Sequence, residues 1–311
     1  MKIKRIFFVF LFCMLCVVPS SFSYAKTTIP NWARSGKISH AGGGIQNTSY
    51  TNSLEALSNT LNNKQKVVEL DFKFTKDGTL VCIHSWKDIN GKSLKKSAFL
   101  SSKIKKNFTP MTAETALNML IKSGNTYLVV DAKEKDVAKV YEEINRICLN
   151  YDKTQNEAIQ EAAEQVSVQN SKSEPENSST TETATASSET NDTNQITPCK
   201  KGSKYRKKII PQLYSKSEYK QLKKIYNYKN WIFTVYKLKM TKESDFKSLA
   251  TFCKKNNIQT VTVPKKALTK NIVKILHKKN LTVATHTINS SNEYNIYQKM
   301  GVNVIYTDFL Q

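Results

Sequence analysis

Between Val67 and Trp86 the chain reads VVELDFKFTKDGTLVCIHSW. Glu69 and Asp71 stand two residues apart in an apolar run. A strand has period two, so both carboxylates project to one face. Asp77-Gly78 suits the positive φ of a tight hairpin turn, and the second run, Thr79 to Ile83, delivers His84. Two carboxylates on one face with a histidine returned beside them can hold a cation and move a proton. The same stretch also reads as a strand whose polar face meets water. Further along, YLVVDAK (Tyr127 to Lys133) is a buried strand that ends with Asp131 and Lys133 two apart. Upstream, Lys37 to His40 is a short strand ahead of Gly42-Gly43-Gly44. Three glycines permit a sharp turn and a close approach to a ligand, or simply an ordinary loop. They match neither a dinucleotide nor a P-loop fingerprint.

The chemistry of these groups is coherent. Glu69, Asp71 and Asp131 offer only carboxylate oxygens, which suit a hard cation such as Ca²⁺ or Mg²⁺. His40 and His84 can serve as general base and general acid across a reacting centre. Lys133 supplies a point charge for an anionic group. A hard metal, paired histidines and a lysine point to phosphodiester cleavage. Taken singly, His84 reads as a core histidine and Lys133 as a neutraliser of Asp131. Their joint placement carries the catalytic reading.

The elements that must position them alternate strand and helix. A helix from about Ser53 to Asn62, capped by Thr51 or Asn52, carries Leu54, Leu57 and Leu61 on one stripe. A second, Thr112 to Ser123, has Thr112 as N-cap and stops at Gly124. A third spans Val137 to Leu149. Residues 151–206 break the pattern, being rich in Ser, Thr, Glu, Asn and Gln. Such a stretch cannot bury enough to offset its ordering entropy. It reads as a disordered, low-complexity insertion, helical at its start near Ala158 to Val166. It separates the third helix from the fourth strand. The competing view, a linker between two domains, is weakened because neither side is a complete fold. Beyond it, strands Ile209–Tyr214, Trp231–Tyr236, Thr260–Val263, Leu281–Thr287 and Val304–Thr307 alternate with four helices. Three strands before and five after argue for an α/β fold, a (β/α)8 TIM barrel over residues 26–311. In that fold the strands' C-terminal ends carry the chemistry, and His40, Glu69, Asp71, Asp131 and Lys133 all stand at such ends.

Met1 to Ala25 reads as a secretory signal peptide. Lys2, Lys4 and Arg5 precede an apolar run, Ile6 to Val18, and Ser23-Tyr24-Ala25 offers a cleavage site before Lys26. Cys13 and Cys16 lack the small residue expected before a lipidated cysteine. No other stretch approaches 18 apolar residues, so the mature chain is expected to lack a transmembrane segment and to be secreted or held at the cell surface. Export permits disulfides, and pairing Cys148 with Cys199 would staple the base of the insertion. The formal net charge is +23, unevenly spread. Residues 151–200 hold nine acids and three bases, whereas 201–311 hold 23 bases and five acids. That surface attracts polyanions such as anionic lipid or phosphate-rich polymer. Without zinc-finger spacing or a basic stripe interleaved with aromatics, no specific nucleic-acid role is expected.

The ELD triplet Glu69-Leu70-Asp71, followed by Thr75-Lys76-Asp77-Gly78 and His84, resembles the glycerophosphodiester phosphodiesterase family, within the wider phosphatidylinositol-phospholipase-C-like barrels. YLVVDAK, Ile210 to Tyr214, Thr285 to Asn289 and Gly301 to Asp308 fall where the family's strand ends would fall. The resemblance implies His40 and His84 as the catalytic pair. It implies Glu69, Asp71 and Asp131 as metal ligands and Lys133 as the phosphate contact. It further implies attack on phosphorus by a neighbouring substrate hydroxyl, with one histidine taking its proton and the other protonating the leaving alkoxide. The chain departs from the family at four places. Ala41 stands for an arginine, and Thr51 for the acid of a Pro-Glu-Asn-Thr helix start. Ser85 stands for an aspartate, and Asp131 for a glutamate. The expected function is an exported, metal-dependent phosphodiesterase acting on glycerophosphodiesters, lipid headgroups or glycerol-phosphate polymer. The alternative, favoured by Ala41, Thr51 and Ser85, is a non-catalytic barrel that binds anionic cell-surface polymer or lipid. A metal-independent reaction of the histidines alone is a third reading, and three retained acids speak against it.

Overall fold

The computed structural model describes residues 28–171, 198–240 and 242–310. The signal-peptide expectation, residues 1–25, and the middle of the low-complexity expectation, residues 172–197, lie outside the described residues.

The chain begins with β1 (Lys37–Ser39), α1 (Leu54–Asn62) and β2 (Val67–Phe74), and then β3 (Leu80–Cys82). Helices α2 (Lys96–Leu100) and α3 (Ala113–Ser123) lead to β4 (Tyr127–Ala132) and α4 (Val137–Ser171). A short α5 (Lys201–Tyr205) precedes β5 (Ile209–Leu213), α6 (Lys216–Ile225) and β6 (Ile232–Thr234). Then come α7 (Glu243–Lys255), β7 (Thr260–Thr262), α8 (Lys270–His277), β8 (Thr282–Thr285), α9 (Ser291–Met300) and β9 (Val304–Thr307). Strand β1 pairs in parallel with both β2 and β9, and this closes eight parallel strands into a barrel. The ninth, β3, hangs antiparallel on β2, with Phe72 opposite Cys82, and is the returning arm of the hairpin.

The sequence pattern explains how the barrel is filled. On β2, Val68, Leu70 and Phe72 join the layer that packs against the helices, while Val67 joins the barrel interior. Ile38, Val129, Ile210, Ile232 and Val304 occupy that interior with Val67, each at most 1% exposed. Burial of each such side chain is worth about 1.5–3 kcal/mol. Two and four residues beyond Val67, the same inward face of β2 carries Glu69 and Asp71. The apolar layer therefore sits at the strands' N-terminal ends and the polar layer at their C-terminal ends.

The caps are local. Ser53, not Thr51 or Asn52, caps α1: its hydroxyl accepts from the Ala56 N–H at 3.2 Å. The Asn52 side chain is drawn instead to Asp71. Thr112 accepts from the Thr115 N–H to start α3, and Gly124, at φ 67°, ends it.

Two differences from expectation concern residues 151–206. Helix α4 does not stop at Leu149 but continues to Ser171, because Gln, Glu and Ala in this stretch are good helix formers. The far side is also structured. The Asp152 carboxylate accepts from the N–H groups of Gly202 and Ser203, at 2.7 and 2.8 Å, and so anchors α5 to α4. Gly202 lies so close to α4 that a Cβ there would stand 1.9 Å from the Cys148 carbonyl oxygen. Cys148 and Cys199 are free thiols; the tie across the base is made by hydrogen bonds. No helix among the described residues is long and apolar enough to cross a membrane.

Candidate active site

Strands β2 and β4 run side by side in parallel with Asp71 opposite Asp131. Glu69 lies two residues below on the same face. One oxygen from each of the three carboxylates falls within 4.8 Å of the others. Their other contacts are divided in a telling way. Glu69 Oε2 accepts from the Ala41 N–H at 2.8 Å. Asp71 Oδ2 accepts from the Asn52 amide at 2.8 Å, and Asp71 Oδ1 meets Lys133 Nζ at 3.0 Å. Asp131 Oδ2 takes three donors: Lys133 at 2.6 Å, Tyr214 at 2.6 Å and Gln212 at 2.9 Å. Glu69 Oε1 and Asp131 Oδ1 are buried and have no protein partner.

Buried carboxylate oxygens without a donor are costly. Three acids against one lysine leave an excess negative charge in a low-dielectric place. Burial first, then the Asp71 and Asp131 charges, push the Glu69 carboxyl well above the usual range, against the pull of Lys133. Burial disfavours charge on Lys133, but Asp71, Asp131 and Glu69 together outweigh it and raise its pKa. The donor set is all oxygen, two of those oxygens lack a partner, and the charge left over is negative. These residues fit a hard divalent cation.

His40 follows β1 directly. Its Nδ1 lies 2.9 Å from Asp308 Oδ1, and its Nε2 stands 4.0 Å from Glu69 Oε2. A carboxylate only accepts, so Nδ1 carries a hydrogen, and in the neutral ring Nε2 presents its lone pair. Asp308 is itself fixed: Asn289 Nδ2 donates to its Oδ2 and its own N–H donates to Asn289 Oδ1, both at 2.8 Å. The three-glycine loop is pinned here too. Gly44 N–H donates to the Asp308 carbonyl, and a Cβ on Gly44 would stand 2.2 Å from the Phe309 ring. The close approach that these glycines allow is therefore to the end of β9.

His84 is placed by the hairpin at the rim of the same cavity, with its side chain 41% exposed. Its Nδ1 is 3.9 Å from Asp88 Oδ2. Ser85 does not face His84's chemistry; it caps the turn Trp86–Asp88. The Tyr50 ring contacts both histidines edge-on, at centroid distances of 4.4 Å from His40 and 5.1 Å from His84. Together with Lys133, Glu69 and Asp131, the two histidines line one cavity of about 140 Å³.

All six residues expected from the sequence thus meet at one mouth. Ala41 and Thr51 are fully buried, and neither side chain carries a charge. Lys133 is the one lysine or arginine among the described residues that line the cavity. Several groups of the site were not singled out from the sequence. Asp308, Asn289 and Asn52 hold His40 and Asp71. Gln212 is held in turn by Tyr306, whose hydroxyl donates to Gln212 Oε1 at 2.7 Å. His286 lines the cavity as a third histidine, edge-on to Tyr306. Burial first, then the charges of His40, Lys133 and Lys265, hold it down at about 4, so it is neutral at pH 7. The period-two spacing of Gln212 and Tyr214 at the end of β5 was the available signal. The fourth histidine, His277, bonds Asn303 away from the mouth. A larger cavity of about 560 Å³, lined in part by Tyr219, Trp231 and Leu281, holds none of the acids or histidines described here.

Comparison with known proteins agrees with this geometry. The model of the glycerophosphoryl diester phosphodiesterase family matches residues 40–311. No curated protein matches the chain. Among solved structures, a putative glycerophosphodiester phosphodiesterase from Galdieria sulphuraria superposes with a TM-score of 0.63 at 13% identity, covering 92% of this chain and 96% of that one. A putative glycerophosphoryl diester phosphodiesterase from Silicibacter pomeroyi DSS-3 gives 0.60 at 12% identity, covering 89% and 94%. An Oleispira antarctica phosphodiesterase, in complex with its product sn-glycerol-3-phosphate, gives 0.56 at 12% identity, covering 89% and 95%. At these identities the structures speak for the fold, and the family match over residues 40–311 speaks for the class of enzyme. The chain belongs to the glycerophosphoryl diester phosphodiesterase family.

Proposed function

We propose that this chain is an exported phosphodiesterase that uses a divalent cation, Ca²⁺ or Mg²⁺, to hydrolyse glycerophosphodiester-type substrates. The observation that carries the reading is the convergence, in one cavity, of an Asp308-held His40 with buried carboxylate oxygens that have no protein partner. Glu69, Asp71 and Asp131 would hold the cation, which when bound supplies Lewis-acid charge at the phosphate. Lys133 adds its positive charge to the same oxygens. His40 Nε2 faces the cavity with a free lone pair, and His84 stands across the Tyr50 ring. One takes the proton of an attacking substrate hydroxyl as the new O–P bond forms. The other delivers a proton to the departing alkoxide as the old P–O bond breaks. The first step leaves a cyclic phosphate; water opens it as the histidine that gave up its proton takes one from the water and the other returns its proton to the departing ring oxygen. Export rests on Met1 to Ala25, and its test is mass spectrometry of the N-terminus in cells and medium. A mature chain starting at Lys26 in the medium is expected; an intact Met1 found only inside cells would overturn it.

The activity test is hydrolysis of a soluble glycerophosphodiester with chelator, with added Ca²⁺ or Mg²⁺, and with His40→Ala. Turnover that requires both the cation and His40 is expected. Turnover unaffected by chelator, or retained in His40→Ala, would overturn the mechanism. The buried, uncharged Ala41 and Thr51 favour one second reading, a non-catalytic barrel that binds anionic polymer. A folded protein that cleaves no diester, binds no cation and holds anionic polymer in a salt-sensitive way would support it.

A further inference from the structure

The catalytic cavity is small and polar, yet it adjoins a groove of different character. Tyr236 lines both. The groove, about 700 Å³, is formed by the segments that follow β6 and β7 and the helices they lead into. It therefore belongs to the same C-terminal face as the mouth. Leu238, Met240, Phe246, Pro264 and Ile272 give it apolar walls. Lys237, Lys239 and Lys266 stand among its lining residues, and no acid does among the described residues.

A second observation concerns where large apolar side chains meet water. Tyr236 is 64% exposed, Leu238 39% and Phe309 41%. All three follow strand ends at this face. Residues 236–240 read Tyr-Lys-Leu-Lys-Met, so apolar groups and lysines are interleaved on one exposed loop. The Lys237 ammonium lies over the Tyr214 ring, 3.9 Å from its centroid, at the edge of the mouth. Lys239 and Lys266 are exposed. Apolar groups that can enter the acyl boundary, beside lysines whose stems lie along apolar surface and whose heads meet anionic headgroups, suit a lipid–water interface. A polar phosphate polymer would engage the lysines and leave Leu238 and Met240 in water.

We propose that the loops after β6 and β7 form a docking surface for an anionic lipid bilayer, with the apolar groove receiving hydrocarbon beside the catalytic mouth. Docking there brings headgroup phosphates to the cavity. The proposal deepens the phosphodiesterase reading by naming a lipid surface as the source of substrate. It rests on that reading only for its consequence, because docking is measured without turnover.

The test is co-sedimentation of the purified protein with vesicles of phosphatidylglycerol and phosphatidylcholine in equal parts, against vesicles of phosphatidylcholine alone. Partitioning onto the anionic vesicles is expected to be at least about tenfold stronger. Leu238→Asp, and separately Lys239→Glu with Lys266→Glu, are each expected to weaken it by about tenfold. Turnover of a soluble glycerophosphodiester should stay within about twofold in these variants, since none of the three side chains lines the catalytic cavity. Wild-type protein that ignores anionic vesicles overturns the proposal. So does binding that Leu238→Asp leaves unchanged, which would make the contact one of net charge alone. Failure of the phosphodiesterase reading looks different: vesicle binding persists while the wild type cleaves no soluble diester.

Discussion

Asp308→Asn puts the reasoning about His40 under direct strain. The carboxylate accepts from His40 Nδ1 at 2.9 Å and from Asn289 Nδ2 at 2.8 Å. Asn289 Oδ1 is already engaged by the Asp308 N–H and the Thr307 hydroxyl. Asn289 can therefore offer position 308 only a donor. An asparagine there must keep its oxygen toward Asn289 and turn its NH₂ toward His40. His40 Nδ1 then accepts, and the ring hydrogen moves to Nε2, the atom facing the cavity. A protonated neutral Nε2 can no longer take a proton from substrate. General acid–base catalysis contributes about 10²–10⁴-fold, so kcat is expected to fall by that factor, about 3–5 kcal/mol of barrel-mouth catalysis. Side-chain volume and the number of hydrogen bonds are unchanged, so Tm should move by no more than about 4 °C. The assay is kcat on a saturating glycerophosphodiester for Asp308→Asn, His40→Ala and the double variant. Groups that act as one unit are non-additive, so the double variant should be no slower than His40→Ala. An Asp308→Asn enzyme within about threefold of wild type, or a fully additive double variant, would refute the tautomer argument.

Three further outcomes follow from the electrostatics. Because Glu69 is held well above the usual carboxyl range, the metal-free protein loses stability as pH rises from that range through the raised value. Cation binding then expels a proton. Calorimetry in two buffers of different ionisation enthalpy should give different apparent heats, and equal heats would contradict it; at 100 times Kd the bound cation should stabilise by about 2.7 kcal/mol. Asp131→Asn neutralises one ligand and is expected to cost at least about 10–100-fold in cation affinity, read by the same titration. His286, held at about 4, is lower in the folded chain than in the unfolded one. Stability is thus lost as pH falls from about 6.5 toward 4, on the order of 3 kcal/mol at the limit, and the denaturant midpoint of His286→Gln should fall less over that window than wild type.

Much of the barrel is legible locally. The alternation Val67, Glu69, Asp71 inward and Val68, Leu70, Phe72 outward is a period-two pattern within one strand. Thr112 and Gly124 bound α3 as their chemistry dictates. The acids Glu69, Asp71 and Asp131 were readable because they stand in strongly apolar runs. The supports were not. Asp308 lies 268 residues from His40, at the end of a short strand, and nothing local distinguishes it from a solvated acid until β1 pairs with β9. Asn52 looked like a helix cap because Asn is a good one; barrel closure brings β2 beside it and Asp71 takes its amide. Sparse apolar residues signal disorder beyond Leu149, whereas Gln, Glu and Ala extend a helix already nucleated by its packed first half, so the helical start expected near Ala158 to Val166 is continuous with α4.

The long α4 gives the molecule two unlike poles. At 35 residues it runs about 52 Å, and, like every crossover helix in such a barrel, it runs opposite to the strands. The chain therefore departs for the acidic low-complexity stretch from the pole remote from the mouth and returns through the Asp152 clamp at the same pole. A dye, an affinity handle or a whole cargo protein joined to the chain between Ser171 and Pro198 would be tethered at that pole. Immobilised through that handle, the enzyme would present its lysine-fringed mouth outward, toward whatever surface it works on.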